Sequence, residues 1–173
     1  LGDGVYAGKS GTGMRIGGRG GDVAIANGML VNGSIAGAAR GADANGLDLA
    51  AGTSLPELRN AGTISATVTG TTTGRATAVL IGEGASLPLL RNSKAITATT
   101  IKDGSAFAIL DRSGTLGTIE NSGSITAVPT SMNSARLPLR SAHTMFSEGI
   151  WLWLHASRNS SQLRAWFMRR LAR

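Results

Sequence analysis

The sequence predicts an all-β protein, a parallel β-helix (solenoid) with coils of about 30 residues, followed by a C-terminal tail that is helical or disordered. A recurring strand motif, a constant interval between two strands, and glycine- and asparagine-rich turns predict this fold. The motif, which marks the first strand of each coil, is anchored on an isoleucine. Its copies are VNGSIAG (Ile35), NAGTISA (Ile64), NSKAITA (Ile96) and NSGSITA (Ile125). Recurrence at a nearly constant interval is typical of coils that stack on copies of themselves.

A second strand lies between successive anchors, marked by two alternating apolar residues. The pairs are Leu47/Leu49, Val79/Ile81 and Ala108/Leu110. The interval from each pair to the next anchor isoleucine is the same in every copy, from 49 to 64, from 81 to 96 and from 110 to 125. An antiparallel sandwich also has short strands at regular spacing, but only stacked coils explain this constancy. Met14 and Ile16 fit the same pattern one coil earlier.

A third element follows the second strand and contains a bend. Its copies are SLPELRN (54–60), SLPLLRN (86–92) and TLGTIEN (115–121). The apolar residues in each copy are three apart, and Pro56 and Pro88 fit a bend because proline is confined to edges, corners and bulges of sheets. The connection from first to second strand is equally long in two coils, 35 to 49 and 96 to 110, but longer in the middle one, 64 to 81. The extra length therefore lies in one loop, around 67–75.

The motifs also predict which residues face inward. We expect the four anchor isoleucines to form one interior column and four small residues to form a second column beside it. The small residues are Gly37, Ala66, Ala98 and Ala127. Hydroxyl residues such as Thr63, Ser65 and Thr67 are expected to face outward, because side chains alternate along a strand.

The four motifs, with SLPELRN and SLPLLRN, resemble the N-x-G-x-I-x-A repeats of autotransporter passenger regions from Gram-negative bacteria. The similarity covers about residues 2–127 and is clearest over 29–127. It implies export, display at the cell surface or outer membrane through a C-terminal β-barrel, and a role in adhesion or as a passive stalk. The implied partners are glycans or proteins of a host or surface. Because neither a secretion signal nor a barrel pattern occurs in these residues, we interpret the chain as an internal piece.

Composition separates a repeat region, residues 1–127, from a tail, residues 128–173. The repeat region has ten basic and nine acidic residues, whereas the tail has seven arginines and only Glu148. The excess of positive charge therefore belongs to the tail, and the repeat region lacks the basic stripe with aromatic residues that nucleic-acid binding requires. The chain has no cysteine, which excludes disulfides and thiolate metal sites.

The tail has three competing interpretations. It is the out-of-frame end of a longer gene, a genuine terminal cap, or an amphipathic membrane-surface helix capped by Ser160 or Ser161. The helix would place Leu163, Trp166, Phe167 and Leu171 on one face. A transmembrane helix is excluded because the longest apolar run, at 150–154, is far below about 20 residues.

Two glycine-rich segments approach nucleotide-binding motifs without matching them. GVYAGKS (4–10) has the wrong glycine spacing for a phosphate-binding loop, and GTGMRIGGRGG (11–21) lacks the third glycine of a dinucleotide fingerprint. We interpret the first as a turn between strands and the second as an earlier second strand.

No other cluster predicts chemistry. The acidic residues are scattered, although Asp48 and Asp111 are expected at equivalent places beside the second strand, and we interpret them as solvated turn residues. His143 and His155 lie in the tail without a third ligand. A threonine array for ice or carbohydrate is not predicted, because Gly37 and Ala39 are expected at its first rung.

We therefore predict that the chain is not an enzyme and has no catalytic, cofactor-binding or metal-binding residue. We also predict that it binds no cofactor and no nucleic acid. The leading function is a non-catalytic stalk or adhesin-like segment of an autotransporter passenger. A fragment of a carbohydrate-active β-helix enzyme, whose carboxylates would converge from adjacent coils, and a gene remnant without function are the alternatives.

Overall fold

The computed structural model describes residues 8–70, 74–101 and 104–130, and the backbone of three short strands in the tail. Every regular element in these ranges is a strand. In chain order the strands are β1 (Gly11–Ile16), β2 (Val23–Ala24), β3 (Met29–Val31), β4 (Ser34–Arg40), β5 (Ala44–Leu49), β6 (Thr53–Ser54), β7 (Glu57–Asn60), β8 (Thr63–Thr69), β9 (Arg75–Ile81), β10 (Leu89–Asn92), β11 (Ala95–Ile101), β12 (Ser105–Asp111), β13 (Thr118–Asn121), β14 (Ser124–Thr130), β15 (His143–Met145), β16 (Trp151–His155) and β17 (Arg164–Met168).

Equivalent strands of successive coils pair side by side and in parallel. Strands β4, β8, β11 and β14 form the first-strand sheet; β1, β5, β9 and β12 form the second-strand sheet; and β3, β7, β10 and β13 form the third-strand sheet. Strands β2 and β6 form a small parallel sheet at the corner between the second- and third-strand sheets. The chain is therefore a parallel β-solenoid of about four coils, which confirms the predicted fold class.

The interior columns of the first-strand sheet are those predicted from the motif. Ile35 pairs with Ile64, Ile64 with Ile96, and Ile96 with Ile125, and the small residues pair in the same register. The side chains of Ile64 and Ile96 are fully buried. The last strand, β14, continues to Thr130 and so extends past the predicted end of the repeat region at residue 127.

The predicted register of the second strand is wrong in the last coil. Two pairs from the sequence are confirmed, since Met14 and Ile16 pair with Leu47 and Leu49. In β12, however, Ile109 and Asp111 pair with Val79 and Ile81, so the predicted pair Ala108/Leu110 is displaced by one position. The interval from the true equivalent, Asp111, to Ile125 is thus shorter by one position than in the earlier coils.

A shift in side-chain alternation within each second strand causes this displacement. At the start of the strand, two small residues that are two positions apart face the interior. The next inward residue is a larger one that follows directly, without the usual outward residue between them. The buried or partly buried core residues follow this pattern in three coils: Ala44, Gly46, Leu47 and Leu49 in β5; Ala76, Ala78, Val79 and Ile81 in β9; and Ala106, Ala108 and Ile109 in β12. A strict period of two therefore selects the wrong partner for Ala108.

The small half of each second strand lies directly against the first-strand sheet. A Cβ atom on Gly37 would collide with the carbonyl oxygen of Asn45, and one on Gly46 would lie 2.7 Å from the carbonyl oxygen of Ser65. The two sheets thus touch through their backbones at this end of the coil. The wider end is filled by larger side chains, including Leu47, Leu49, Val79 and Ile81, all fully buried.

The third element bends as predicted. Leu55 and Leu58 are both fully buried, and so are Leu87 and Leu90. Pro56 lies in the gap between β6 and β7, where the chain turns the corner into the third-strand sheet. Both leucines of each copy reach the core because the bend offsets their odd spacing.

The tail strands continue the first-strand sheet in antiparallel order. Strand β15 pairs with β14, β16 with β15, and β17 with β16. Residues 164–168 are therefore a strand, which contradicts the amphipathic helix proposed for this segment. The helix was predicted from the spacing of four apolar residues, and periodicity over so short a stretch does not separate helix from strand.

Candidate functional site

A ladder of asparagine side chains runs through the interior edge of the third-strand sheet. Asn60 Nδ2 donates to Asn92 Oδ1 at 2.7 Å, and Asn92 Nδ2 donates to Asn121 Oδ1 at 2.7 Å. Asn60 and Asn92 are 1% and 2% exposed. Because each buried amide donates to its neighbour and to nearby carbonyl oxygens, these polar groups are satisfied inside the core.

The ladder also holds the turn into the next first strand. Asn60 Oδ1 accepts the backbone N–H of Gly62 at 3.2 Å, and Asn121 Oδ1 accepts that of Gly123 at 3.2 Å. In the first coil the ladder position is occupied by Val31, which pairs with Asn60. This ladder was not predicted from the sequence. Its signal is an asparagine four positions before the anchor isoleucine in three motifs, but three positions before Ile35.

A line of ion pairs crosses the outer surface of the third-strand sheet. Glu57 Oε1 lies 2.9 Å from Nε of both Arg59 and Arg91, and Arg91 Nε lies 3.1 Å from Glu120 Oε2. The hydrogen bond from Arg59 lowers the pKa of Glu57, and the same bond raises the pKa of Arg59. Two arginines therefore balance two glutamates along this line.

Asp48 lies in the second-strand sheet and is 7% exposed. Its Oδ2 is 3.3 Å from Nε of Arg15 on the neighbouring coil. Burial raises the pKa of Asp48, and the charge of Arg15 opposes that rise. The carboxylate is thus engaged by an arginine, and the interpretation of Asp48 as a solvated turn residue is wrong, because the residue is buried within β5.

Asp111 has a different role and a different place. It pairs with Ile81 whereas Asp48 pairs with Leu80, so the expected equivalence of the two aspartates is wrong, owing to the same register shift. Asp111 accepts backbone N–H groups of Ser113, Gly114 and Leu116 at 2.8–3.1 Å. Burial alone would raise its pKa, but the hydrogen bonds from the Ser113 hydroxyl and these amides lower it overall. Asp111 therefore stabilises a turn.

A groove of about 510 Å³ follows the corner between the second- and third-strand sheets. All four coils contribute residues to it, and most of these are small or carry a hydroxyl group: Asp22, Val23, Ala24, Gly52, Thr53, Ser54, Gly84, Ala85, Ser86, Ser113 and Thr115. Several hydroxyls are already used, since Thr53 donates to the Ile16 carbonyl at 2.8 Å and Thr115 accepts the Leu87 N–H at 3.0 Å. Ser54 and Ser86 face one another across a parallel bridge. The groove therefore runs along the stacking axis and offers hydroxyl groups on the three later coils, whereas the first coil contributes Asp22, Val23 and Ala24.

The outward face of the first-strand sheet is rich in hydroxyl groups but irregular. Thr97 pairs with Ser65 and Thr126, while Thr99 pairs with Thr67 and Val128. In the first coil the matching residues are Ala36 and Ala38. The predicted residues, Gly37 and Ala39, face inward instead. The first rung still lacks threonine.

The remaining motifs have structural roles or lie outside the described residues. The N–H of Gly8 donates to the Arg40 carbonyl at 2.8 Å, so this part of GVYAGKS is bound within the solenoid; residues 1–7 lie outside the described part. The side chains of His143 and His155 also lie outside it. Among the described residues, no three metal-binding side chains cluster, and no helix is long and apolar enough to span a membrane.

No family model, no curated protein and no solved structure matches the chain.

Proposed function

We propose that this chain is a non-catalytic stalk or adhesin-like segment of an exported cell-surface protein of the autotransporter kind. The observation that supports this proposal best is the in-register stacking of the interior columns over about four coils. Such a stack has one continuous core, and further coils can extend it by about 4.8 Å each. This geometry suits a spacer that holds a binding region away from a membrane.

The state of the acidic residues supports a non-catalytic role over the carbohydrate-active alternative. Glycoside cleavage by two carboxylates requires an acid and a base or nucleophile that flank one bond. Among the described residues, Glu57 and Glu120 are bound to arginines, Asp48 is bound to Arg15, and Asp111 closes a turn. Each of these carboxylates thus already has a partner within the fold.

The corner groove is the surface that we assign to adhesion. Its hydroxyl groups recur on the three later coils, so an extended polyhydroxylated chain could lie along it. This assignment predicts binding to a neutral glycan. Measuring binding of the purified chain to an array of glycans checks it, with a Ser54→Phe, Ser86→Phe double variant that fills the groove as the matched control. Equal binding by both proteins contradicts the assignment.

The stalk proposal is tested by display. The chain is placed between an export signal and an autotransporter translocator, and surface exposure is measured by protease treatment of intact Gram-negative cells. We expect a compact protease-resistant fragment at the surface for the wild-type chain and its loss for Ile96→Asp, which breaks the core. A chain that is retained inside the cell, or displayed without a resistant core, contradicts the proposal.

A further inference from the structure

We infer that Asn32 is a site of self-catalysed deamidation, through attack by the backbone nitrogen of Gly33. The chain contains three Asn-Gly pairs, Asn27–Gly28, Asn32–Gly33 and Asn45–Gly46. Glycine after asparagine leaves the backbone nitrogen unhindered and able to approach the side-chain amide. The environments of the three pairs differ, and the structure separates them.

Asn32 and Gly33 are both exposed and lie between β3 and β4. In two later coils the N–H equivalent to that of Gly33 is held by an asparagine two positions earlier, as Asn60 holds Gly62. The first coil has Val31 at that position and its asparagine one position later. Among the described residues, neither the Gly33 N–H nor the Asn32 side chain forms a hydrogen bond.

The other two pairs are restrained. Asn45 is half-buried inside β5 and pairs with Thr12 on one side and Thr77 on the other. The N–H of Gly28 donates to the Ile25 carbonyl at 3.1 Å, and Gly28 has a φ of 77°. Reaching the cyclic product would require breaking a sheet in the first case and a turn in the second.

Deamidation of Asn32 requires no oxidant and no cofactor. The Gly33 backbone nitrogen loses its proton and bonds to Cγ of Asn32, and the side-chain nitrogen leaves as ammonia. The five-membered succinimide is then opened by water at either carbonyl, which yields aspartate or isoaspartate. The isoaspartate product inserts a backbone methylene beside Val31 and Gly33, whose carbonyls accept the N–H groups of Ala61 and Thr63 at 2.8 and 2.9 Å. The modification thus places a negative charge and a displaced backbone at the edge of the first coil.

The test follows the three pairs in the same full-length protein. The chain is incubated in H₂¹⁸O at mildly alkaline pH, and each Asn-Gly peptide is examined by mass spectrometry for the incorporated oxygen. We expect label at Asn32 first in the folded protein. In denaturant the three pairs should react at similar rates, since the selectivity comes from the fold. Faster labelling of Asn27 or Asn45, or an unchanged preference in denaturant, overturns the inference.

Two variants test the proposed cause. Gly33→Ala adds a methyl group into open space at a residue whose φ is not positive, so the fold should persist while the labelling at Asn32 is lost. Val31→Asn restores the ladder residue and should slow labelling by holding the Gly33 N–H. Circular dichroism confirms that each variant is folded. Labelling of a folded Gly33→Ala protein at the wild-type rate overturns the mechanism.

Discussion

The hydroxyl group of Thr100 is a polar group in an otherwise apolar interior column. Its side chain is fully buried, and its hydroxyl oxygen has no hydrogen-bond partner among the described residues. Val68 follows Thr67, the partner of Thr99 one coil earlier; it is also buried and has nearly the same shape as threonine. A buried hydroxyl without a partner costs about 1–3 kcal/mol.

We therefore expect Thr100→Val to stabilise the protein by about 1 kcal/mol. The free energy of unfolding in urea measures the effect. Thr100→Ser is the matched control, because it keeps the hydroxyl and removes a methyl group, and it should be destabilising. A Val variant no more stable than the wild type would mean that the hydroxyl is satisfied in solution.

Asp48 and Asp111 should affect stability with opposite dependence on pH. The pKa of Asp48 is raised in the folded state, so the contribution of this residue to stability falls as pH rises above about 3.8. Asn does not titrate, and Asp48→Asn should therefore gain stability relative to wild type between acid and neutral pH.

The pKa of Asp111 is lowered, so its contribution is present at neutral pH and lost in acid. Asp111→Asn should lose relative stability as pH rises. Denaturant unfolding from strongly acidic to neutral pH measures both differences, and slopes of the same sign would contradict the assigned environments.

Ile96→Asp should be among the most damaging single changes in the chain. Ile96 is fully buried between Ile64 and Ile125, and a carboxylate there would have no partner. We expect a loss of more than about 4 kcal/mol. Thr63→Asp, at an exposed outward position on the neighbouring strand, should change stability by less than about 0.5 kcal/mol. Thr71, in the variable loop, lies outside the described residues. Similar losses in the two variants would contradict the assigned faces.

At the scale of elements, each second strand has a half with small side chains and a half with large ones. The inward-facing positions shift by one residue between the two halves. In β12 this shift places Ile109 against the core, while Leu110 pairs with the half-buried Leu80. We expect Ile109→Ala to cost about 2 kcal/mol. Leu110→Ala should cost less than about 1 kcal/mol. Urea unfolding of the two variants distinguishes the structural register from strict alternation, which predicts the reverse order.

The first-strand sheet could be predicted because inward and outward side chains alternate without a break from Ile35 to Gly37 and in every later copy of the motif. The third element could be predicted because its prolines mark the bend. The shift inside the second strand could not, because it depends on how closely two backbones approach, as at Gly37 and Asn45. The asparagine ladder was missed for a related reason. Asparagine beside glycine is typical of exposed turns, and only the stacking of coils shows that Asn60 and Asn92 are buried.

At the scale of the whole molecule, the solenoid should not depend on its tail. The interior columns are complete at Ile125 and Ala127, and the tail strands that the structure describes pair in antiparallel order beside β14. We expect deletion of residues 131–173 to leave circular dichroism and the free energy of unfolding unchanged within about 0.5 kcal/mol, or to improve them. A loss of several kcal/mol would identify the tail as a genuine terminal cap.

The direction of the hydrogen bonds between coils has a mechanical consequence. Bonds such as Ser93 N–H to the Asn60 carbonyl point along the stack, and each coil touches only its neighbours. A tensile load applied to the two ends therefore opens coils one after another instead of shearing the whole stack. Each opened coil releases about 30 residues, or about 100 Å of extended chain. Under strain this protein lengthens in steps, and the coils that remain closed keep their shape.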